Sequence, residues 1–201
     1  VGDEGKINNI KKKYKIKGDY IFYLGTIQPR KNLIRLADAF DKLIQNSKFK
    51  IQNLQLVIAG KRGWLYDEFF KKIEGQQDVI YTDYVEKEDL PALFSGAKVF
   101  VLPSLYEGFG IPVLDAMACG TPVVVSNVSS LPEVVGEAGI LVDPKSIEDI
   151  VKGIEKILTL SNGEYSELKK KCLSQAQKFS WEKCARETLE VLESSPRRFH
   201  F

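Results

Sequence analysis

Two carboxylates flank a glycine-rich turn within YEGFGIPVLDAMACGTPVVVS, residues 106–126. Glu107 precedes the turn GFG (108–110), and Asp115 lies about one turn into a helix that we expect to begin near Pro112. Glycine lets a backbone approach a ligand closely, and free amides at a helix start bind anions. The two acids could then accept hydrogen bonds from hydroxyl groups, with Asp115 suited to a diol such as that of a ribose. In the alternative, Asp115 only complements the helix dipole and Glu107 is an ordinary loop acid.

Two cations, Arg30 and Lys31, fall just before another predicted helix. Positive charge there opposes the helix dipole, at a cost of about 0.3–1 kcal/mol for each exposed cation. An unfavourable placement of this kind is typical of a functional site, and it favours binding of an anion. The alternative is that both side chains extend into water. A second pair, Lys61 and Arg62, fits either interpretation equally well.

The elements that must position these residues alternate between strand and helix. Short apolar runs predict strands at 20–25, 54–60, 78–85, 98–104, 121–126 and 138–143. Periodic patterns predict helices at 33–45, 65–74, 86–97, 112–119, 146–160, 163–178 and 181–194, the last with Ser180 as its N-cap. The alternation predicts an α/β fold, a Rossmann-like three-layer sandwich with a parallel sheet and additional carboxy-terminal helices.

In such a sheet, ligands bind outside the carboxyl ends of the strands. Four predicted loops would lie along that edge, at 25–31, 60–63, 82–85 and 104–110. Two of them carry paired cations, one is aromatic and one contains the glycine turn. This combination suits a nucleotide, because cations and amides bind phosphate oxygens and an aromatic side chain can border the base.

Composition limits the domain organisation and the partners. The 201 residues, 44% of them apolar, suit one α/β domain with an extension. We expect a basic helical lead-in or linker at 1–19, a nucleotide-binding domain at 20–178, and a carboxy-terminal helix and tail at 179–201. The net charge of +2 is too small for a nucleic-acid-binding protein. The lysines of the lead-in indicate a solvated helix face or, alternatively, contact with an anionic membrane surface.

Histidine and cysteine usage narrows the chemistry further. The only histidine is His200, so triads and metal sites built on histidine are excluded from the body of the chain. The three cysteines, Cys119, Cys172 and Cys184, are expected to be reduced thiols of a cytoplasmic protein. No apolar run approaches the length of a membrane span. The chemistry therefore depends on carboxylates, cations and backbone amides.

Three longer segments carry a resemblance to a known family. LGTIQPRKNL, LVIAGKRGW and PSLYEGFGIPVLDAMACGTPVVVSNVSSLPEVVGEAGILVDP resemble the group 1 retaining glycosyltransferases (glycosyltransferase family 4), and within them the mannosyltransferase-like enzymes of polysaccharide assembly. The likeness covers about residues 20–144, and FSWEK (179–183) resembles the family's late helix. It implies the GT-B architecture, in which two Rossmann-like domains face a cleft. This chain resembles only the carboxy-terminal, donor-binding half.

The resemblance also implies roles for individual residues, of which Glu107, Lys31 and Arg30 are the expected catalytic ones. Lys31, assisted by Arg30, would neutralise the diphosphate of a nucleoside diphosphate sugar, while Glu107 would orient hydroxyls of the transferred sugar. Asp115 would bind the ribose diol, and backbone near Tyr84 would border the base. The complete set expected at the donor also contains Gly25, Thr26, Val85, Gly108, Phe109, Gly110 and Ile111.

The implied reaction retains the anomeric configuration and needs no bound metal and no cofactor besides the donor. The absence of a D-x-D motif agrees with this expectation. A glycan or lipid-linked acceptor would bind through an amino-terminal domain outside this chain. The complete enzyme is expected in the cytoplasm, with peripheral contact to the inner face of the membrane as an option. The base and the sugar stay open, although the subgroup favours GDP-mannose.

Two positions depart from the family pattern. Asp115 stands where the family usually has Glu, and is shorter by one methylene, about 1.5 Å. Thr26 stands where many members have Arg. Two alternatives to the donor-binding half of an enzyme are a nucleotide-binding module without catalysis and an NAD-dependent oxidoreductase domain. The oxidoreductase is disfavoured because G-x-G-x-x-G is missing and Gly60-Lys61 stands where an acid is expected.

Overall fold

One parallel sheet organises residues 2–45 and 53–194, which are the residues that the computed structural model describes. Six strands in these residues form it: β1 (Tyr20–Leu24), β2 (Gln55–Ala59), β3 (Val79–Asp83), β4 (Val99–Leu102), β5 (Val123–Ser126) and β6 (Ile140–Val142). Their order in the sheet is β3-β2-β1-β4-β5-β6, and every neighbouring pair is parallel. The six predicted strands are confirmed. The predicted strand 98–104 ends early, because Pro103 has no N–H to donate to a neighbouring strand.

Helices cover both faces of this sheet. They are α1 (Glu4–Lys13), α2 (Leu33–Gln45), α3 (Asp67–Ile73), α4 (Leu90–Gly96), α5 (Ile111–Ala118), α6 (Leu131–Val135), α7 (Ile147–Leu158), α8 (Asn162–Ala176) and α9 (Trp181–Ser194). Short 3₁₀ turns occupy Pro29–Lys31 and Gly136–Ala138. α2 packs beside α3 and α7, whereas α5 packs beside α4 and α8. The predicted three-layer arrangement is therefore present.

Burial explains why the apolar runs form strands. β2, β4 and β5 are buried along their whole length, and so are the first four residues of β1. The edge strands β3 and β6 are only partly buried. A parallel sheet covered by helices on both faces requires apolar side chains on both sides of each central strand. The helix α6 was not predicted, because five residues are too few to display a helical period.

The topology creates one crevice at the carboxyl edge of the sheet. From β1 the chain runs outward to β3, returns to β4 beside β1, and then runs outward to β6. The loops after β1 and β4 therefore leave the sheet in opposite directions. This is the switch point at which open α/β sheets bind ligands.

The two ends of the described chain differ in how they pack. Near the end of α1, Lys13 Nζ lies 2.5 Å from Asp89 Oδ2, and the Tyr14 hydroxyl donates to the same oxygen at 2.6 Å. Ile7 and Ile10 of α1 are half-buried, whereas every residue of α9 is exposed. Its predicted N-cap is present, since Lys183 N–H donates to Ser180 Oγ at 3.1 Å. The predicted tail at 195–201 lies outside the described residues.

Two further findings concern the described residues as a whole. The three cysteines are free thiols, as expected: Cys172 is buried, Cys119 is half-buried and Cys184 is exposed. None of the helices in the described ranges has the length and apolar character needed to cross a membrane.

Candidate functional site

The predicted cations and the predicted catalytic acid meet at the switch point. We call residues 25–32 the β1 loop and residues 103–110 the β4 loop. Leu105 N–H donates to the carbonyl of Arg30 at 2.8 Å, so the backbones of the two loops are joined directly. Sequence reasoning assigned both loops to the same edge of the sheet. Their contact follows from the pairing of β1 with β4.

Asn32 fixes the two loops relative to each other. It adopts a left-handed conformation with φ 62°, which asparagine tolerates better than most residues. Its buried Nδ2 donates to the carbonyls of Pro103 at 2.8 Å and Pro144 at 2.7 Å. One amide group thereby connects the β1 loop, the β4 loop and the loop after β6. Sequence reasoning did not single out Asn32, although its position directly before a predicted helix was a signal for a special backbone conformation.

Glu107 is the centre of a charged cluster. Its Oε1 lies 2.6 Å from Lys31 Nζ and accepts a hydrogen bond from Ser104 Oγ at 2.6 Å. Its Oε2 lies 3.3 Å from Arg30 Nη1, and the same nitrogen donates to the Tyr106 carbonyl. The side chains of Glu107 and Lys31 are only 9% and 12% exposed. The acid and both cations therefore form one connected group at the crevice.

The charge state of Glu107 follows from these contacts. Burial, the largest influence, raises the pKa of its carboxyl, but the hydrogen bonds from Lys31 and Ser104 and the charges of Lys31 and Arg30 together outweigh it. The pKa of Glu107 consequently lies below its ordinary value of 4.5. The carboxylate is ionised at neutral pH, and it holds two cations side by side at the mouth of the crevice.

The two glycines of the turn, Gly108 and Gly110, have different surroundings and backbone conformations. Gly110 has φ 101°, and a Cβ at this position would lie 2.7 Å from Leu131 Cδ2. The fold itself therefore requires glycine there. Gly108 lies outside the left-handed region, and a Cβ would meet no atom within 4 Å. Nothing in the described chain therefore demands glycine at position 108.

Asp115 stands apart from the charged cluster. It lies on α5, on the same side of the helix as the exposed Ile111, and its carboxylate makes no hydrogen bond or ion pair with the residues in 2–45 and 53–194. Partial burial of its carboxyl raises the pKa of Asp115 above its usual range. An acceptor without a partner can take hydrogen bonds from an incoming hydroxyl group.

The remaining predicted donor contacts lie along the same sheet edge. Thr26 is exposed, and a Cβ on Gly25 would lie 2.7 Å from the buried Tyr23 hydroxyl, which donates to no acceptor in the described chain. Tyr84 is 50% exposed, whereas Val85 is buried. Phe109 is 40% exposed and its ring contacts that of Phe179.

Lys61 and Arg62, the second pair of cations, lie in two different environments. Lys61 Nζ lies 4.8 Å from the centre of the Tyr84 ring, at the predicted base-binding end of the edge. The Arg62 guanidinium lies 4.3 Å from the Phe70 ring and 5.5 Å from the Tyr66 ring, beside α3. Cation–aromatic stacking of this kind stabilises the fold. The structural alternative is therefore favoured for Arg62.

No cluster of three or more histidine, cysteine, aspartate or glutamate side chains in the described ranges could hold a metal ion. The arrangement can instead place two cations and a turn with free amides around an anion. An ionised carboxylate and a second acid are available for hydroxyl groups. These are the components that a phosphorylated sugar ligand requires.

Comparison with known proteins gives the family context of this site. Residues 6–179 match the family model described as "Glycosyl transferases group 1". The chain is 42% identical over 176 residues to O-antigen chain mannosyltransferase B of Escherichia coli, covering 86% of this chain and 45% of that protein. It is 36% identical over 199 residues to the serotype-specific mannosyltransferase WbdA of Escherichia coli, covering 94% of this chain and 24% of that protein. The chain thus spans less than half the length of these relatives.

Solved structures with the same fold are also found. Sucrose-phosphate synthase (tll1590) from Thermosynechococcus elongatus superposes with a TM-score of 0.75 at 25% identity, covering 92% of this chain and 48% of that chain. Anabaena Alr3699/HepE in complex with UDP-glucose superposes with a TM-score of 0.82 at 18% identity, covering 96% of this chain and 54% of that chain. The predicted fold class, a Rossmann-like half of a GT-B architecture, is confirmed.

Proposed function

The chain belongs to the group 1 glycosyl transferases, and from this membership we propose that it is the donor-binding domain of an enzyme that transfers a hexose from a nucleoside diphosphate sugar to a glycan or lipid-linked acceptor. The observation that carries the proposal is the contact of Lys31 and Arg30 with Glu107 at the switch-point crevice. The names of the two Escherichia coli relatives favour mannose as the hexose, and hence GDP-mannose as the donor.

Lys31 and Arg30 bind the diphosphate in this proposal. Before the donor arrives, Glu107 pairs with both cations and holds them close together, which leaves an excess of positive charge in the cluster. An incoming diphosphate shares the cations with Glu107, whose lone pairs then accept hydrogen bonds from hydroxyls of the sugar. As the glycosidic bond to the diphosphate breaks, charge builds on the leaving phosphate, and preorganised cations stabilise that charge.

In this proposal the nucleoside extends from the diphosphate, with its ribose at Asp115 and its base at Tyr84. The carboxylate of Asp115, which has no hydrogen-bond partner in the described chain, accepts hydrogen bonds from the ribose diol. The exposed ring of Tyr84 and the backbone at Val85 border the base. Gly25, Thr26 and Ile111 line the path between them. The shorter side chain of Asp115, compared with the usual Glu, places this diol contact closer to α5.

The chemistry we propose is metal-independent transfer with retention of configuration. The support for metal independence is the presence of Arg30 and Lys31, which supply the positive charge that a leaving diphosphate needs. For retention, we propose that an oxygen of the donor phosphate accepts the proton of the attacking hydroxyl on the face that the leaving group vacates. The nucleoside diphosphate sugar is then the only small molecule needed besides the acceptor.

The acceptor is assigned to a further domain of the complete protein. The chain spans 45% of the length of one relative and 24% of another, so most of each relative lies outside the match. Tyr84, Tyr106 and Phe109 are large exposed side chains on the loops at the carboxyl edge, which a second domain would cover. We further propose a cytoplasmic enzyme whose basic α1 makes any contact with the inner membrane face peripheral.

Calorimetric titration of the chain with GDP, UDP, ADP and NAD, in the presence of a chelator, tests the donor site. We expect saturable binding of one nucleoside diphosphate, unchanged by the chelator. Preference for NAD would favour the oxidoreductase alternative and contradict the proposal. Binding to none of the four compounds would also contradict a donor site in this chain. Loss of binding on chelation would overturn metal independence alone.

Replacing Lys31 with Ala tests the phosphate contact. We expect Lys31→Ala to weaken nucleoside diphosphate binding by about tenfold or more, because a charge-assisted hydrogen bond is lost, while nucleoside binding stays unchanged. The control is Lys12→Ala, which removes an exposed lysine of α1 that has no ion pair in the described chain. Equal losses for the diphosphate and the nucleoside would mean that Lys31 does not touch phosphate.

A further inference from the structure

Two serines that follow β5 contact the backbone of the glycine turn. Ser129 Oγ accepts a hydrogen bond from Glu107 N–H at 3.0 Å. Ser130 Oγ lies 3.0 Å from the carbonyl oxygen of Phe109 and 3.3 Å from that of Glu107, so its single proton is shared in a three-centre hydrogen bond. The loop after β5 therefore holds the turn at three backbone atoms.

The side chain of Ser130 is used in an unusual way. Ser130 occupies the N-cap position of α6, where a serine normally accepts a hydrogen bond from the helix. Here the side chain makes no capping hydrogen bond, and the hydroxyl donates to the turn instead. Ser129 adopts a left-handed conformation with φ 52°, which costs a non-glycine residue about 1 kcal/mol or more. Both serines thus give up local stability while they contact the turn.

The contacts of Ser130 determine where the amides of the turn point. In a trans peptide unit, the C=O and the following N–H point in opposite directions. The carbonyls of Glu107 and Phe109 both face Ser130. The N–H groups of Gly108 and Gly110 must therefore point away from Ser130. Neither N–H donates to any acceptor within residues 2–45 and 53–194.

The neighbouring peptide unit identifies the side to which these amides point. In the unit that joins Tyr106 to Glu107, the carbonyl accepts from Arg30 and the N–H donates to Ser129. Arg30 and the serines thus lie on opposite sides of the turn, in agreement with the sheet order β1-β4-β5. Since the amides of Gly108 and Gly110 point away from the serines, they face the side on which Arg30 and Lys31 lie.

We propose that Ser130 is a positioning residue that sets the two glycine peptide units so that their amides and the two cations face one anion from opposite directions. Glycine-flanked peptide units rotate easily, because glycine populates positive and negative φ about equally. Without the shared hydroxyl, either unit can turn its carbonyl toward the anion and repel it. The inference rests on the proposed donor site, since it assigns the anion to the donor diphosphate.

The test compares Ser130→Ala with Ser130→Thr, which keeps the hydroxyl. Each variant is titrated with the nucleoside diphosphate that binds the wild-type chain most tightly and with the matching nucleoside. We expect Ser130→Ala to weaken diphosphate binding about tenfold at unchanged nucleoside affinity, and Ser130→Thr to restore most of it. Ser174→Ala on α8, an exposed serine whose side chain makes no hydrogen bond in the described structure, serves as the control.

A spectroscopic measurement separates positioning from a merely structural effect. In ¹⁵N-labelled chain, the amide proton resonances of Gly108 and Gly110 should shift downfield on titration with the diphosphate in the wild type and in Ser130→Thr. In Ser130→Ala these shifts should be lost, even if the variant binds weakly. Unaltered shifts and affinity in Ser130→Ala, together with weakened binding in Lys31→Ala, would overturn the role of Ser130 alone. Failure of the wild type to bind any diphosphate would overturn the donor site and this inference with it.

Discussion

Glu107 has a double role at the scale of the residue. Its carboxylate contacts Lys31 and Arg30 on one side of the turn, while its backbone N–H and carbonyl contact the serines on the other. A side chain that is 9% exposed and held by three groups, those of Lys31, Arg30 and Ser104, loses little further freedom when a ligand binds. The acid is therefore oriented before any sugar arrives.

Replacing Gly108 should separate an effect on ligand binding from an effect on stability. We expect Gly108→Ala to leave the Tm unchanged, because the new methyl group meets no atom within 4 Å and the backbone is outside the left-handed region. Binding of the nucleoside diphosphate should fall by about tenfold or more, because the methyl group occupies space that the ligand needs. Differential scanning calorimetry and calorimetric titration measure the two quantities.

The control for this substitution is Gly163→Ala. A Cβ at Gly163 also meets no atom within 4 Å, and the residue lies in the first turn of α8, where alanine is a better helix former. Stability should be unchanged or slightly higher, and binding unchanged. If Gly108→Ala bound the diphosphate as tightly as the wild type, the ligand would not approach the turn at this point.

At the scale of elements, Asn32 connects the loops that border the crevice. It joins the loops that follow β1, β4 and β6, and its backbone conformation starts α2 in the correct direction. We expect Asn32→Asp to lower the free energy of unfolding by about 1–3 kcal/mol, because the oxygen that replaces Nδ2 would face the carbonyls of Pro103 and Pro144 without a donor, while the other oxygen keeps its hydrogen bond from Arg35. Urea denaturation measures this loss.

The matched control is Asn162→Asp, which makes the same chemical change at an exposed first position of α8. An acid there interacts favourably with the helix dipole, so stability should be unchanged or higher by about 0.5 kcal/mol. A loss of less than about 1 kcal/mol in Asn32→Asp would mean that the loops are held together by other contacts.

The sequence predicts the elements more completely than their connections. Each central strand is an apolar run bounded by glycine or proline, so its existence follows from local composition. The pairing of β1 with β4 does not follow from any local pattern, yet the contact between Lys31 and Glu107 depends on it. The roles of Ser130 and Asn32 were not predicted from the sequence for the same reason. The role of each arises from a carbonyl far away in the chain, which no local pattern indicates.

At the scale of the whole molecule, α9 differs from the other helices in the described ranges, because every one of its residues is exposed. None of its residues is buried, and Trp181 and Leu192 are 79% and 68% exposed. The family model ends at residue 179, just before this helix begins. Packing of an apolar face contributes most of the stability of a protein helix. In this chain by itself, α9 therefore contributes little to the stability of the domain.

This argument predicts the effect of truncation. A chain that ends at Ser180 keeps the contact between Phe109 and Phe179, and its free energy of unfolding should equal that of the full chain within about 0.5 kcal/mol. A chain that ends at Leu160 loses α8, including the buried Cys172 and the hydrogen bond from Tyr165 to the Lys98 carbonyl. The free energy of unfolding of that chain should fall by several kcal/mol, because the deletion removes a buried core side chain and the contacts that its neighbours make with it.

Hydrogen exchange gives an independent measurement of the same property. Amides of α9 should exchange far faster than those of α7, because an isolated helix of 14 residues is only marginally stable in water. Protection of α9 equal to that of α7, or a loss above about 1 kcal/mol on truncation at Ser180, would mean that α9 packs against the domain in solution. With the predicted result, the apolar side chains of α9 are exposed to solvent in this chain.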